Sequence, residues 1–191
     1  MYLQMKEENI LIENFHYNSI KKPDDGSVTY FDFEEDFVED NVRCIPMIVR
    51  FKLDACGIKL KLSEWSKMEF DERNKLCELA CNNDQEFQQY RRYCQQIIFN
   101  RTGKEATGLA VEQNPAWANS DELPSLLAER LKEFSWLISL RRWQSLSNLQ
   151  RFVLIKLSKP GHENKNFSGR VGTADIWVDI FIQFITNLTG V

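Results

Sequence analysis

The sequence lacks the short motifs by which most enzymes and metalloproteins can be recognised. It has no glycine-rich phosphate loop, no His-Glu-x-x-His zinc helix, no serine nucleophile elbow and no Cys-x-x-Cys pair. Histidine, the side chain most often used for general acid–base work, occurs only twice. These absences predict a protein that is not an enzyme, with no catalytic residues and no cofactor.

Long apolar runs are also missing, as are the marks of secretion. No stretch reaches the ~18 apolar residues that a membrane-spanning helix needs. The N-terminal residues carry acids early and lack the apolar core of a signal peptide. Five cysteines is an odd number, which without a secretory signal favours reduced thiols over a disulfide framework. The sequence therefore predicts a cytoplasmic protein without a membrane span.

Basic residues are too scattered for a nucleic-acid binder, which usually carries a basic patch in a recognisable motif. The net charge of -4 instead hides an acidic N-terminal part, since residues 1–42 hold 11 acids and 3 bases. The densest acidic stretch runs from residue 34 to residue 40. We predict no nucleic-acid partner and a solvated acidic face, with a carboxylate metal site and an electrostatic docking surface as alternatives.

A duplicated unit is the main feature that the sequence does have. Residues 46–79 and 124–157 read alike when one is shifted by 78 positions, the difference between 124 and 46. The identical pairs are Pro46/Pro124, Leu53/Leu131, Leu62/Leu140, Trp65/Trp143, Arg73/Arg151, Leu76/Leu154 and Leu79/Leu157. A repeat of packing residues argues for architecture. We therefore interpret both tryptophans as core anchors and both arginines as framework residues that bond helix ends.

The repeat also decides between strand and helix in its first copy. Residues 45–53 alternate like a strand, but the matching residues 123–134 have a clear helical pattern. Both copies have proline at the predicted first helical position, and Gly57 is expected to end the helix in the first copy. Second helices are predicted over residues 70–81 and 148–158, the latter begun by a capping box of Ser147 and Gln150.

These elements predict an all-α fold. It is a compact helical domain with two pseudo-repeated helix-turn-helix units, about 46–79 and 124–157, joined by a long middle helix. That helix is predicted over residues 83–101 and ends at Gly103, and residues 104–120 follow as an ordered loop. The domain plan is a flexible N-terminal segment over 1–29, a single helical domain over 30–167 and an apolar C-terminal segment over 168–191.

Three cysteines offer the best candidate for a metal or redox site. Cys77 and Cys81 lie four residues apart on one predicted helix face, and Cys94 lies on the next helix. Together with His162 they could bind zinc or an iron–sulfur cluster. The competing interpretation is that they are small buried apolar residues. Core packing is the favoured reading for these three and for Cys44 and Cys56, so no metal site is predicted.

Several blocks of this sequence resemble the nitrate reductase-associated protein family. They are FDFEEDFV at 31–38, VRCIPMIVRFKLD at 42–54, CGIKLKLSEW at 56–65, NPAW at 114–117, LQRFVLIKLS at 149–158 and GHENKNF at 161–167. The resemblance implies a role in producing active assimilatory nitrate reductase. Genes of this family tend to lie beside those for the reductase and for molybdopterin biosynthesis. It implies no catalytic residues.

The resemblance suggests the partner, and the unrepeated polar segments suggest where it docks. The implied partner is nitrate reductase or its molybdenum-cofactor assembly machinery. The predicted interaction residues are Phe31, Glu34, Glu35, Asp36, Arg43, His162, Glu163 and Asn164. Beyond residue 167 the chain departs from the family, and its apolar segment 168–191 fits either a native extension or a shifted reading frame. A metal- or redox-active protein and a nitrogen-status sensor that binds a small ligand between the repeat halves remain the alternative functions.

Overall fold

A computed structural model describes residues 44–133 and 137–159. Within those ranges the chain is mostly helical, so the predicted all-α class is confirmed. The elements are α1 Met47–Cys56, β1 Ile58–Lys59, α2 Leu62–Trp65, α3 Phe70–Glu78, α4 Asp84–Thr102, β2 Thr107–Gly108, α5 Ser125–Glu133, α6 Leu140–Ser145 and α7 Asn148–Ser158. Among these described helices, none combines the length and the apolarity that crossing a bilayer requires.

The helices begin at the spacing that the predicted repeat requires. Helices α1, α2 and α3 start at residues 47, 62 and 70, and helices α5, α6 and α7 start at residues 125, 140 and 148. Each pair of starts differs by 78 residues (125 − 47, 140 − 62 and 148 − 70). That the two segments are structural repeats of one another stays a prediction.

Local hydrogen bonds explain where helices α7 and α1 begin. The Ser147 amide donates to Oε1 of Gln150 at 2.8 Å, and the Gln150 amide donates back to Oγ of Ser147 at 3.2 Å. This is the predicted capping box. Pro46 lies one position before the first helical residue rather than at it, because its carbonyl already accepts the first helical hydrogen bond from the Arg50 amide at 3.0 Å.

The long middle helix has both of its predicted ends. The side chain of Asn83 accepts a hydrogen bond from the Glu86 amide at 3.0 Å and caps the start of α4. Gly103 ends the helix in the left-handed conformation, with φ of 68°. Helix α3, by contrast, ends at Glu78 and not at the predicted residue 81. The chain turns out of the helix at Leu79, where ψ is 130°.

A small sheet was not predicted. Ile58 of β1 lies opposite Gly108 of β2, and Lys59 lies opposite Thr107, in antiparallel register. The Leu109 amide extends this contact with a hydrogen bond to the Gly57 carbonyl at 2.9 Å. Two-residue strands have no sequence periodicity, so they can be recognised only from the partner that folding brings beside them.

Two hydrophobic cores lie on either side of helix α1. The first core contains Ile45, Val49, Leu53, Cys56, Ile58, Trp65, Met68, Leu76, Cys77, Cys81, Tyr90, Cys94, Ile97 and Ile98. The second core contains Met47, Leu127, Leu131, Ile138, Trp143, Leu146, Phe152, Val153, Leu154 and Leu157. Because α1 supplies side chains to both, it is the element that joins the two segments of the predicted repeat.

Aromatic and ionic contacts hold α1 against the second segment. The ring of Phe51 meets Trp117 edge-on at a centroid distance of 4.8 Å and meets Phe152 edge-on at 5.3 Å. Such edge contacts add ~0.5–1.5 kcal/mol beyond the buried area. An ion pair of 2.9 Å between Asp54 and Lys156 connects α1 to α7 on the partly exposed side.

Replacing Gly57 by alanine is expected to destabilise the fold more than the same change at Gly103. Both residues have a left-handed φ, 67° and 68°, so both variants carry the ~1–2 kcal/mol cost of a side chain in that conformation. Only at Gly57 would the new Cβ clash, since it would lie 2.8 Å from the Leu109 carbonyl oxygen and 2.8 Å from Val111. We expect an additional loss of about 1–3 kcal/mol there.

Urea unfolding of Gly57→Ala and Gly103→Ala measures this difference. At Gly103 no atom lies within 4 Å of the added Cβ, which makes it the matched control. Equal unfolding midpoints for the two variants would contradict the close packing of β1 and the 109–111 segment.

Candidate functional site

A buried group of ionisable side chains lies where helices α1, α3 and α4 meet. Its members are Lys52 and Cys56 from α1, Cys77 from α3, Cys81 from the connection that follows α3, and Tyr90 and Cys94 from α4. We call this group the thiol–lysine cluster. Each member is less than a tenth exposed. Charged and titratable groups are rarely buried so deeply without a partner, so their contacts decide what the cluster can do.

Lys52 is the cation of this cluster, and its ammonium binds the end of helix α3. Nζ donates hydrogen bonds to the carbonyl oxygens of Cys77 at 2.5 Å and Leu79 at 2.7 Å. The C-terminal end of a helix carries partial negative charge, which favours a cation there. Burial nevertheless lowers the pKa of Lys52 from its usual 10.5, and the neighbouring thiols oppose that change. Nζ also lies 5.7 Å from the centre of the Tyr90 ring.

The two sulfurs of Cys56 and Cys81 are in direct contact, 3.4 Å apart. The pKa of Cys56 lies below its usual value, chiefly because Cys81 donates a hydrogen bond to it and also because Arg91 and Lys52 add positive charge. The pKa of Cys81 lies above its usual value, because it donates that hydrogen bond and because it is buried. Arg91 is held beside the pair by a hydrogen bond of 2.6 Å from its Nη1 to the Cys56 carbonyl.

Tyr90 and Cys94 complete the cluster on α4. The hydroxyl of Tyr90 has no hydrogen-bond partner among the described residues, although it is fully buried. Burial raises the pKa of Tyr90 well above 10 and raises the pKa of Cys94 to about 12. Cys94 is therefore a poor nucleophile, since it is the thiolate that reacts. Of Cys56, Cys81 and Cys94, only Cys56 has surroundings that lower its pKa.

The alternative metal set is not assembled by the described residues. Cys77, Cys81 and Cys94 all lie in the first core, as the packing interpretation predicted. Across residues 44–133 and 137–159, no three His, Cys, Asp or Glu side chains are grouped so that they could hold a metal ion. His162, the fourth predicted ligand, lies outside the described residues.

The predicted interaction residues also lie outside the described part of the chain. They are Phe31, Glu34, Glu35, Asp36 and Arg43 before it, and His162, Glu163 and Asn164 after it. The same holds for the N-terminal segment 1–29 and for the apolar segment 168–191. Their proposed role in docking stays a prediction.

The repeated tryptophans and arginines have the framework roles that were predicted. Trp65 and Trp143 are both fully buried, one in each core. Arg73 donates from Nε to the Met68 carbonyl at 3.0 Å, just before α3 begins. Arg151 donates from Nε to the Trp117 carbonyl at 2.8 Å and so ties the predicted loop to α7.

Sequence reasoning missed Lys52, Arg91 and the pairing of Cys56 with Cys81. One signal for Lys52 was available, since it lies three residues after Val49 and four before Cys56 on the buried face of α1. A lysine at such a position must find buried acceptors. The pairing of Cys56 with Cys81 had no sequence signal. Cys81 lies in the irregular connection between α3 and α4, where no helical or strand pattern predicts its position.

Comparison with known proteins gives one match. A family model described as conserved nitrate reductase-associated protein matches residues 30–172, which includes all of the described residues. No curated protein and no solved structure matches the chain significantly.

Removing the Lys52 ammonium is expected to destabilise the protein by about 2–6 kcal/mol, because two carbonyl oxygens lose their donor. The change Lys52→Met keeps the side-chain length but deprives two carbonyl oxygens at the end of α3 of their hydrogen bonds, and unsatisfied buried acceptors cost ~1–3 kcal/mol each. The free energy of urea unfolding measures the loss. Arg130→Met is the matched control, because Arg130 occupies the equivalent repeat position (52 + 78) but forms a largely exposed ion pair with Glu133.

For that control we expect a change below ~0.5 kcal/mol, as for most surface ion pairs. A Lys52→Met variant as stable as Arg130→Met would show that the ammonium does not hold the end of α3.

The stability cost of Cys94→Ala is expected to shrink at alkaline pH. In the folded chain the pKa of Cys94 is about 12, against 9.0 for an exposed thiol. Between these values the unfolded chain releases the thiol proton while the folded chain keeps it, so the contribution of Cys94 to stability falls by up to ~1.4 kcal/mol per pH unit as pH rises. Alanine has no proton to lose.

Urea unfolding of wild type and Cys94→Ala, both kept reduced, tests this at one pH below 9 and one between 9 and 12. Below pH 9 we expect the variant to be less stable by about 1–2 kcal/mol. The same difference at both pH values would mean that Cys94 titrates in the fold as it does in the unfolded chain.

Proposed function

Because the chain belongs to the nitrate reductase-associated protein family, we propose that it is a non-catalytic accessory factor needed for active assimilatory nitrate reductase. The observation that carries this proposal is the match of the family model over residues 30–172 of a chain of 191. The name of the family supplies the partner, and the physical features of the described residues supply the reason for an accessory role.

The described residues have the character of a scaffold. The side chains that recur in the sequence repeat, such as Trp65 and Trp143, are buried in the two cores. Every residue of the thiol–lysine cluster is less than a tenth exposed. Its side chains therefore contact one another and not a substrate. A framework of this kind can position binding segments without performing chemistry of its own.

The polar segments at 31–43 and 162–164 are the docking surface in this proposal. Arg43 precedes the start of α1 by four residues (47 − 43), and His162 follows the end of α7 by four (162 − 158). Met47 of α1 and Leu157 of α7 belong to the same core. In sequence, both segments therefore adjoin helices of the same core, and their joining into one docking surface is part of the proposal. Both also lie inside the matched range 30–172.

We place the action in the cytoplasm, at the insertion of the molybdenum cofactor into the reductase. A factor at that step binds an incompletely assembled enzyme and is released from it, which suits an association driven by charge more than by buried apolar area. Acidic side chains concentrated at 34–40 provide such a charge. Electrostatic surfaces of this kind raise association rates and select partners without requiring a permanent complex.

The other two functions have less support from the described residues. A metal site at Cys77, Cys81, Cys94 and His162 would need three described thiols to converge, and they form no such group. A ligand sensor would need space between the repeat halves. Instead, Phe51 of the first half packs directly against Phe152 of the second, at a ring-centroid distance of 5.3 Å. The redox alternative is favoured by one specific observation, the contact of Cys56 with Cys81, and is taken up below.

Co-purification from cells that make assimilatory nitrate reductase tests the proposal. We expect the reductase or its cofactor-assembly proteins to be retained on the tagged chain. The triple change Glu34→Lys, Glu35→Lys and Asp36→Lys should weaken that binding ~10-fold or more, since ~1.4 kcal/mol corresponds to a tenfold change. The control is a second triple variant, Glu112→Lys, Asp121→Lys and Glu122→Lys. It makes the same change of charge at three exposed acids in another part of the chain.

Deletion of the gene is the second arm of this test. We expect low reductase activity with normal amounts of the reductase polypeptide, and low occupancy by molybdenum cofactor. Normal activity in the deletion strain, together with no retained reductase, would exclude the accessory role. Low activity with full cofactor occupancy would keep the accessory role and exclude the insertion step.

A further inference from the structure

Cys56 and Cys81 are arranged as a pair that a small structural adjustment could join. Their sulfurs are 3.4 Å apart, and a disulfide bond brings sulfurs to ~2.05 Å. Cys56 is the last residue of α1, and Cys81 lies in the irregular connection between α3 and α4. Neither residue is held in the interior of a helix, so rotation of the side chains and a slight shift of the connection can close the remaining gap.

From this geometry we propose that Cys56 and Cys81 form an oxidisable dithiol site, which peroxides convert to a disulfide and small dithiols restore. No ligand or partner is needed for the site, and it does not depend on the proposed role with nitrate reductase. It differs from the metal or redox set that the sequence suggested. That set joined Cys81 with Cys77, Cys94 and His162, whereas this site joins Cys81 with Cys56 alone.

The surroundings assign different roles to the two sulfurs. Cys56 is the attacking sulfur, because the hydrogen bond from Cys81 and the positive charges of Arg91 and Lys52 stabilise its thiolate. Cys81 is the resolving sulfur, since it already touches its partner. Cys94 is excluded as the attacking group, because burial keeps it protonated up to a pKa of about 12.

The oxidation can be written with hydrogen peroxide as the oxidant. The Cys56 thiolate attacks one peroxide oxygen, the O–O bond breaks, and hydroxide leaves with a proton from solvent as water, giving a sulfenic acid on Cys56. Once Cys56 is a sulfenic acid, Cys81 no longer donates a hydrogen bond to a Cys56 thiolate, so the first cause of its raised pKa is removed. The Cys81 sulfur then gives up its proton and attacks the Cys56 sulfur, and the expelled hydroxide takes up a proton as the second water. Two thiols and one peroxide thus become one disulfide and two waters, and two electrons pass from sulfur to oxygen.

Both sulfurs are less than a tenth exposed, which limits what can oxidise them. A molecule of the size of hydrogen peroxide can reach a buried thiol through local opening of the connection that carries Cys81, whereas a bulky disulfide reagent is obstructed. The expected behaviour is therefore oxidation by peroxide and slow reaction with large thiol reagents while the protein is folded.

Peptide mapping of the folded full-length protein tests the proposal. Reduced protein is treated with hydrogen peroxide, free thiols are then alkylated, and the chain is digested with trypsin without reduction. We expect the peptide 53–59, which contains Cys56, to be linked to the peptide 76–91, with a combined mass lower by two hydrogen atoms. Dithiothreitol should restore both peptides to their alkylatable form.

Three variants identify the linked sulfur, because the peptide 76–91 contains both Cys77 and Cys81. The link is expected to persist in Cys77→Ala and in Cys94→Ala and to disappear in Cys81→Ala. The wild-type map alone is sufficient if a variant fails to fold, since fragmentation of the linked peptide distinguishes residue 77 from residue 81.

Four results would overturn the proposal. One is a wild-type chain whose Cys56 is alkylated as fully after peroxide as before it. The second is a link that persists in Cys81→Ala. The third is a link that forms only after the protein has been unfolded in urea. The fourth is a link that joins two chains, as shown by a dimer on a non-reducing gel.

Discussion

Helix α1 must be buried on two sides at once, and the rest of the described fold depends on how it meets that constraint. Val49 and Leu53 belong to one core, while Met47 belongs to the other and Phe51 packs against it. A charged side chain on the buried face of a helix needs hydrogen-bonding partners. Lys52 is tolerated on α1 because its ammonium reaches the carbonyl oxygens at the end of α3, where the helix dipole favours a cation. This contact lies where α3 stops and the connection to α4 begins.

That connection brings Cys81 against Cys56, so the thiol pair is a consequence of the same constraint. Two buried cysteines of one core then acquire opposite properties from their surroundings. Cys56 accepts a hydrogen bond and lies near two positive charges, which lowers its pKa. Cys94 lies deeper, and burial raises its pKa to about 12. Burial favours the thiol form, whereas positive charge and an accepted hydrogen bond favour the thiolate at Cys56.

The framework and the proposed docking surface are separate parts of the chain. The family match extends beyond the described residues at both ends, from residue 30 to residue 172. In sequence, the polar segments precede α1 and follow α7, and Met47 of α1 and Leu157 of α7 belong to one core. A rigid core between two polar segments is a common way to present a binding surface, because the core supplies position and the segments supply specificity. The buried dithiol adds a site on the framework side that is independent of docking.

The sequence by itself determined the helical class and most helix boundaries, because these depend on neighbouring residues. Ser147 with Gln150, Asn83 and Gly103 mark helix ends through hydrogen bonds or backbone conformations that span at most four residues. The repeat added the helix over residues 47–56, which alternation alone had suggested as a strand. Burial of both repeated tryptophans followed from the same comparison.

Only the tertiary structure decided the early end of α3, the pairing of β1 with β2 and the contact between Cys56 and Cys81. In each case the partners are far apart in the chain, as Lys52 is from Cys77 and Ile58 is from Gly108. A local pattern of apolar residues specifies which face of a helix is buried. It does not specify which atoms of another element that face will contact. The candidate site consists of such long-range contacts.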